Sequence, residues 1–114
     1  MRNIQIFDQI VEDTVNQCVE TLVVKAKEYR RNDNPFHNFD IGVQQSTSNE
    51  SREEVIWGMA RKHWISIQDI RSDVKEGELP SIELLNEKYG DMINYLILEK
   101  ASIMDKINKL KTND

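Results

Sequence analysis

Cysteine occurs once in this 114-residue chain, proline twice and glycine four times, and no glycine-rich phosphate loop is present. The single Cys18 cannot close an internal disulfide, which points to an intracellular setting. No apolar run approaches the roughly 20 residues of a membrane span. The start, Met1-Arg-Asn-Ile-Gln-Ile-Phe-Asp8, lacks the uninterrupted apolar core of a signal peptide. A cytoplasmic protein is the expectation. Basic charge is also short: 15 Lys and Arg stand against 20 Asp and Glu, for a net charge of −5. Phosphate contacts need a basic surplus, so a dedicated nucleic-acid binder is disfavoured. A nucleotide held through a divalent ion stays open, because such a site wants acidic residues. Two distant histidines and one cysteine lack the paired spacing of a zinc site. No Ser-His-Asp or Cys-His arrangement is argued by spacing.

What the chain has is helical periodicity. Ile4, Phe7, Val11, Thr14, Cys18 and Leu22 recur every three or four residues and predict a first helix over about 3–29. The Asn- and Asp-rich stretch Arg30–Pro35 ends it. Ile56, Met59, Ala60, His63, Ile67, Ile70 and Val74 predict a second long helix over about 51–75. Ser51-Arg-Glu-Glu54 has capping-box form, and Gly77 suits a left-handed stop. Pro80-Ser81 opens a third long helix, about 81–108, with a main stripe of Leu85, Tyr89, Met92, Leu96 and Ile103. Between Met92 and Leu98 the apolar residues spread round the circumference, as in a helix covered from more than one side.

Between the first two long helices, 32–49 is read as a loop or a short helix around Phe39–Gln45, followed by a mobile, turn-like Gln44–Asn49. Phe36 and Phe39 are placed to plug one end of the molecule. The expected fold is one all-α domain: an antiparallel bundle of three long helices and a short one. Three helices cover the last one poorly, so a homodimer or higher homo-oligomer is expected to complete it.

Glu87, Asp91 and Asn94 share one face of the third long helix. One reading is a plain solvated face. Yet Leu84, Leu98 and Ala101 flank the three, and a carboxylate among apolar groups needs a partner. Lys62, Ser66, Asp69 and Asp73 line one flank of the second helix. Either Lys62 neutralises Asp91 in a structural salt bridge, or Asp69, Glu87 and Asp91 together hold Mg²⁺. His63 is a packed core histidine or a general base. His37 caps a helix or meets a ligand, and Cys18 reads as a small core residue. Lys25, Lys27, Glu28, Arg30 and Arg31 complement a helix C-terminus or edge a phosphate site. Trp57 and Trp64 pack on a neighbour or stack on a base.

Lys27-Glu-Tyr29, Asn34-Pro-Phe-His-Asn-Phe39, Trp57-Gly-Met-Ala-Arg-Lys-His63 with Ser66 and Asp69, and Glu87-Lys-Tyr-Gly-Asp-Met-Ile-Asn-Tyr95 together resemble small phage and prophage proteins of a nucleotide-modification-associated type. The resemblance covers about 25–101. A more distant one is to the all-α nucleoside triphosphate pyrophosphohydrolases, the MazG-like and dimeric dUTPase-like group. Those are helical bundles, usually dimeric or tetrameric, in which acids on two helices bind Mg²⁺ and activate water. Asp91-Met-Ile-Asn-Tyr-Leu-Ile-Leu98 is similar to the end of their Glu-x-x-Asp motif. This chain departs from it: Lys88 stands three before Asp91, with Glu87 one residue off. Lys62, His63 and Asp69 stand where a Glu-x-x-Glu pair belongs. Glu50-Ser-Arg-Glu53 matches that pattern but lies where helix capping suffices.

The resemblance implies a phage-type protein in host cytoplasm that binds a nucleotide or is a divergent Mg²⁺-dependent pyrophosphohydrolase. Asp69, Glu87 and Asp91 would then be metal ligands. Lys27, Asn34, His37, Asn38, Lys62 and Asn94 would bind ligand, with His63 and Glu53 as catalytic candidates. The competing reading is a non-enzymatic helical interaction protein, such as a phage factor binding a host or phage protein, whose polar stripes are salt bridges.

Overall fold

A computed structural model describes residues 3–112, with the side chains of Tyr29, Lys111 and Thr112 left out. Four helices follow one another: α1 Asn3–Tyr29, α2 His37–Gln45, α3 Arg52–Lys75 and α4 Ile82–Thr112. The described residues form no named strand, only an isolated bridge between Arg31 and Asn34. The architecture is all-α, as periodicity predicts. α2 starts two residues before the expected Phe39, and α4 runs four residues past 108.

Local chemistry explains the boundaries. Ser51 Oγ accepts from the Glu54 N–H at 3.1 Å, and Glu54 Oε1 accepts from the Ser51 N–H at 3.1 Å. This is the reciprocal cap read from the sequence. Gly77 stops α3 with φ 88°, where a Cβ would clash with its own backbone. Ser81 Oγ accepts from the Leu84 N–H and opens α4.

The core lies where α3 packs on α4, with α2 folded over their shared end. Phe36 and Phe39 do plug that end, against Val55 and Ile56. Further along, Ala60, Ile67 and Met92 form a second cluster beneath Trp64 and Tyr95. On α3 the predicted stripe is buried at Ile56, Ala60, His63, Ile67 and Ile70, whereas Met59 and Val74 are exposed. Gly42 is required by a close approach: a Cβ there would stand 2.7 Å from Val55 Cγ1.

Two apolar stripes fall elsewhere than expected. On α4 Leu96 and Ile103 are exposed. Met92 of the expected stripe is buried, but beside it the inward row is Asn94 and Ser102, buried, with Tyr95, Leu98 and Ala101 half-buried, the side that carries Asp91. Tertiary packing chose the face with smaller and more polar groups, because α3 meets it closely and Phe36 and Phe39 reach it from the α2 end. On α1 only Cys18 is buried among the described residues, while Ile4, Phe7 and Val11 stand in the open, Ile4 at 74%. No helix among the described residues is long and apolar enough to cross a membrane.

Candidate functional site

α1 meets α4 at its middle and C-terminal half. Cys18 Sγ lies 3.9 Å from the Gly90 carbonyl oxygen, and Lys25 Nζ lies 3.4 Å from Asp91 Oδ1. Between the two helices runs a cleft of about 670 Å³. Ile10, Thr14, Cys18, Leu85, Tyr89 and Ile93 make much of its wall, and Lys25, Asn86, Glu87 and Asp91 supply polarity.

Asp91 is the centre of charge. Its side chain is 13% exposed, and the other carboxyl oxygen, Oδ2, faces His63 Nδ1 at 3.6 Å. That distance is too long for a hydrogen bond, and His63 Nδ1 has no hydrogen-bond partner among the described residues. Burial lowers the His63 pKa below its ordinary value. Asp91 opposes the shift, but Lys88, Lys62 and Lys25 reinforce it. The ring is therefore neutral at pH 7 and stacks on Tyr95, with centroids 5.6 Å apart. Burial, then the Asp91 charge, raise the Cys18 thiol, which keeps it protonated and unreactive.

Asp91 thus has a cation, but from α1. Lys62 is exposed, so the expected Lys62–Asp91 bridge is not formed. The nominated metal ligands do not converge either. Asp69 is exposed on α3, and Glu87 is exposed with Lys88 3.7 Å away. Among the described residues no three His, Cys, Asp or Glu side chains gather at a point where a metal could sit. Mg²⁺ ordinarily takes one or two protein carboxylates, so the count alone is not decisive. The misfit is that the one nearly buried acid is already neutralised by an ammonium.

The remaining nominated residues are spread out. Lys27 is exposed. Asn34 Nδ2 donates to Asp40 at 2.9 Å, and its Oδ1 accepts from the Phe36 N–H, so it shapes the turn before α2. Asn38 Nδ2 donates to the Glu28 carbonyl and ties α2 to α1. His37 begins α2. None of these four lines the cleft. Asn94 is 5% exposed, with neither amide atom hydrogen-bonded.

Glu53 belongs to a second cluster, which sequence reasoning missed. Its centre is Arg52, 9% exposed at the first turn of α3. Its Nε donates to Ser102 Oγ at 2.6 Å, while Nη2 donates to the Ser102 carbonyl at 3.2 Å and to Asp105 Oδ2 at 2.9 Å. Nη1 reaches Asp40 at 3.4 Å, and the guanidinium lies 4.1 Å over the Phe36 ring. Ser102 Oγ in turn donates to Glu53, which also accepts from Lys106. Burial pushes the Glu53 carboxyl up, but these hydrogen bonds together prevail and hold it below the usual range. Asp105 is lowered first by the Arg52 hydrogen bond, against burial. The cluster pins α2, α3 and α4 together. The only sequence signal was an arginine directly after a helix cap, beside an aromatic-rich turn.

No family model matches the chain, and no curated protein or solved structure matches it.

Proposed function

We propose that the chain is a non-enzymatic helical interaction protein, acting through the apolar faces of α1 and α4. The observation that carries this is the exposure of an apolar row of several turns on each helix: Phe7, Val11, Val15 and Val19 on α1, and Ile97, Met104, Ile107 and Leu110 on α4. Soluble monomers seldom leave contiguous apolar patches beyond a few hundred Å². The pairing of Asp91 with Lys25 points the same way, since it removes the free carboxylate that a Mg²⁺-dependent hydrolase needs. The resemblance to phage proteins suits a small factor that binds a host or phage protein.

A second reading keeps the nucleotide. The largely apolar α1–α4 cleft has room for a base, and Lys25 on its wall could meet a phosphate, although Glu87 and Asp91 in the same lining oppose an anion.

One experiment separates these readings. Thermal unfolding is followed with a nucleotide panel, with and without Mg²⁺, alongside binding of an environment-sensitive apolar dye and the solution mass. The interaction reading expects no nucleotide shift, and an apolar face that is covered by association or else lights the dye. A ligand at a hundredfold excess over Kd would add about 2.7 kcal/mol. Such a shift, if lost in Lys25→Met, would establish the cleft reading instead. A monomer that leaves the dye dark would refute the interaction reading.

A further inference from the structure

The two open faces match each other in period and complement each other in charge. On α4, Ile93 lines the α1–α4 cleft, and the exposed row continues past it through Leu96, Ile97, Ile103, Met104, Ile107 and Leu110. At 100° per residue these fall on the side away from Leu98, Ala101 and Ser102, which pack toward α2 and α3. The α1–α4 contacts at Gly90 and Asp91 precede this row, so α1 of the same chain leaves it bare. On α1 a second row, Ile4, Phe7, Val11, Val15, Val19 and Val23, is equally bare. At 1.5 Å per residue the α4 row over 96–110 spans about 21 Å and the α1 row over 4–23 about 28 Å, so the α1 row is long enough to cover it.

Charge gives the pairing a direction. Residues 3–24 hold Asp8, Glu12, Asp13 and Glu20 and no Lys or Arg. Residues 96–111 hold Lys100, Lys106, Lys109 and Lys111 against Glu99 and Asp105. Lys106 and Lys109 are engaged within the chain by Glu53 and Asp105. Lys100 is different: it is exposed, has no ion-pair partner among the described residues, and sits within one turn of Ile97, Ile103 and Met104. A lone cation in an apolar row fits an acid brought by whatever covers that row. Asp8 and Glu12 flank the α1 row, are exposed, and also lack ion-pair partners among the described residues.

We infer that the occupant is a second copy of this chain. α1 of each copy lies along residues 96–110 of α4 in the other, in a two-fold arrangement that uses both faces twice. This rests on the interaction reading and names its partner. The exposed side chains of the two rows offer on the order of 1,000 Å² per chain, above the roughly 800 Å² per partner of a standard interface. A self-complementary pair of patches closes under two-fold symmetry, which also prevents open-ended growth.

The test is sedimentation velocity on the full chain over a wide concentration range, with dye binding measured in parallel. Wild type sediments as a dimer. Met104→Lys and Val15→Lys each weaken association by about tenfold or more, since each places an ammonium in an apolar contact. Circular dichroism checks that the variants keep the helicity of the wild type. Lys100→Glu weakens association, and combining it with Asp8→Lys and Glu12→Lys restores it. A wild-type monomer that binds the dye overturns the second-copy assignment alone. A monomer that leaves the dye dark overturns the interaction reading as well. A dimer indifferent to all five substitutions overturns the assigned faces.

Discussion

Lys25 Nζ and Asp91 Oδ1 stand 3.4 Å apart across the α1–α4 junction, with the carboxylate nearly buried and the ammonium about one-third exposed. This pair decides the chemistry of the site, because Asp91, the least exposed of the three nominated acids, already has a cation from within the chain. Removing the cation alone strands a charge. Lys25→Met should destabilise the fold by about 1–3 kcal/mol in urea denaturation. Asp91→Asn added to it should recover part of that loss. A Lys25→Met protein as stable as wild type would show that the pair is idle.

Arg52 should be the costliest single side chain to remove. Its guanidinium serves Ser102, Asp105 and Asp40 at once. Arg52→Ala should cost about 3 kcal/mol, toward the low end of a buried pair because Asp40 and Asp105 are about a third exposed. The reading is the denaturation midpoint at unchanged slope.

Asn94 predicts the opposite sign. Its amide is buried with no hydrogen bond among the described residues, so Asn94→Leu, with the same branching and number of heavy atoms, should stabilise by about 1 kcal/mol. A loss of stability there would mean that the amide has a partner in solution.

Gly42→Ala should destabilise by about 1–3 kcal/mol, because the new methyl meets Val55 Cγ1 at 2.7 Å in a tight core. Gly42→Ala combined with Val55→Ala should relieve the overlap, which a double-mutant cycle would register as coupling.

Acid should destabilise in two windows. His63 is neutral in the fold with its pKa below 6.5, so the unfolded chain binds the extra proton first. Stability from His63 is complete above pH 6.5 and falls as pH drops below it toward the folded value. The groups facing it are Asp91 and Lys88 on α4, Lys25 on α1 and Lys62 on its own helix. Glu53 and Asp105 titrate lower in the fold than in the unfolded chain, so their contribution is lost only below about pH 4.5. A His63→Phe variant should flatten the upper window and leave the lower one.

The helices were legible because Ser51, Glu54, Gly77 and Ser81 act locally, and local chemistry is written in neighbouring residues. The Phe36–Phe39 plug was legible for the same reason. What escaped was which side of α4 turns inward. Leu96 and Ile103 outrank Asn94 and Ser102 in hydrophobicity, yet the polar side is buried: Arg52, fifty residues away in sequence, arrives to satisfy Ser102, and the packing of α3 covers Asn94. Lys25 was visible as a cation at the end of α1, but its pairing with Asp91 spans 66 residues, and no spacing rule reaches that far.

The account turns on the bare row of α4 being covered by α1 of another copy. Carbodiimide coupling of an equal mixture of unlabelled and ¹⁵N-labelled protein, read by mass spectrometry, addresses this directly. The neighbouring Lys106 and Glu53 provide an internal control within one chain. The account predicts mixed-isotope peptides joining Lys100 to Asp8 or Glu12. Normal Lys106–Glu53 coupling with no mixed-isotope link between residues 3–24 and 96–110 would contradict it.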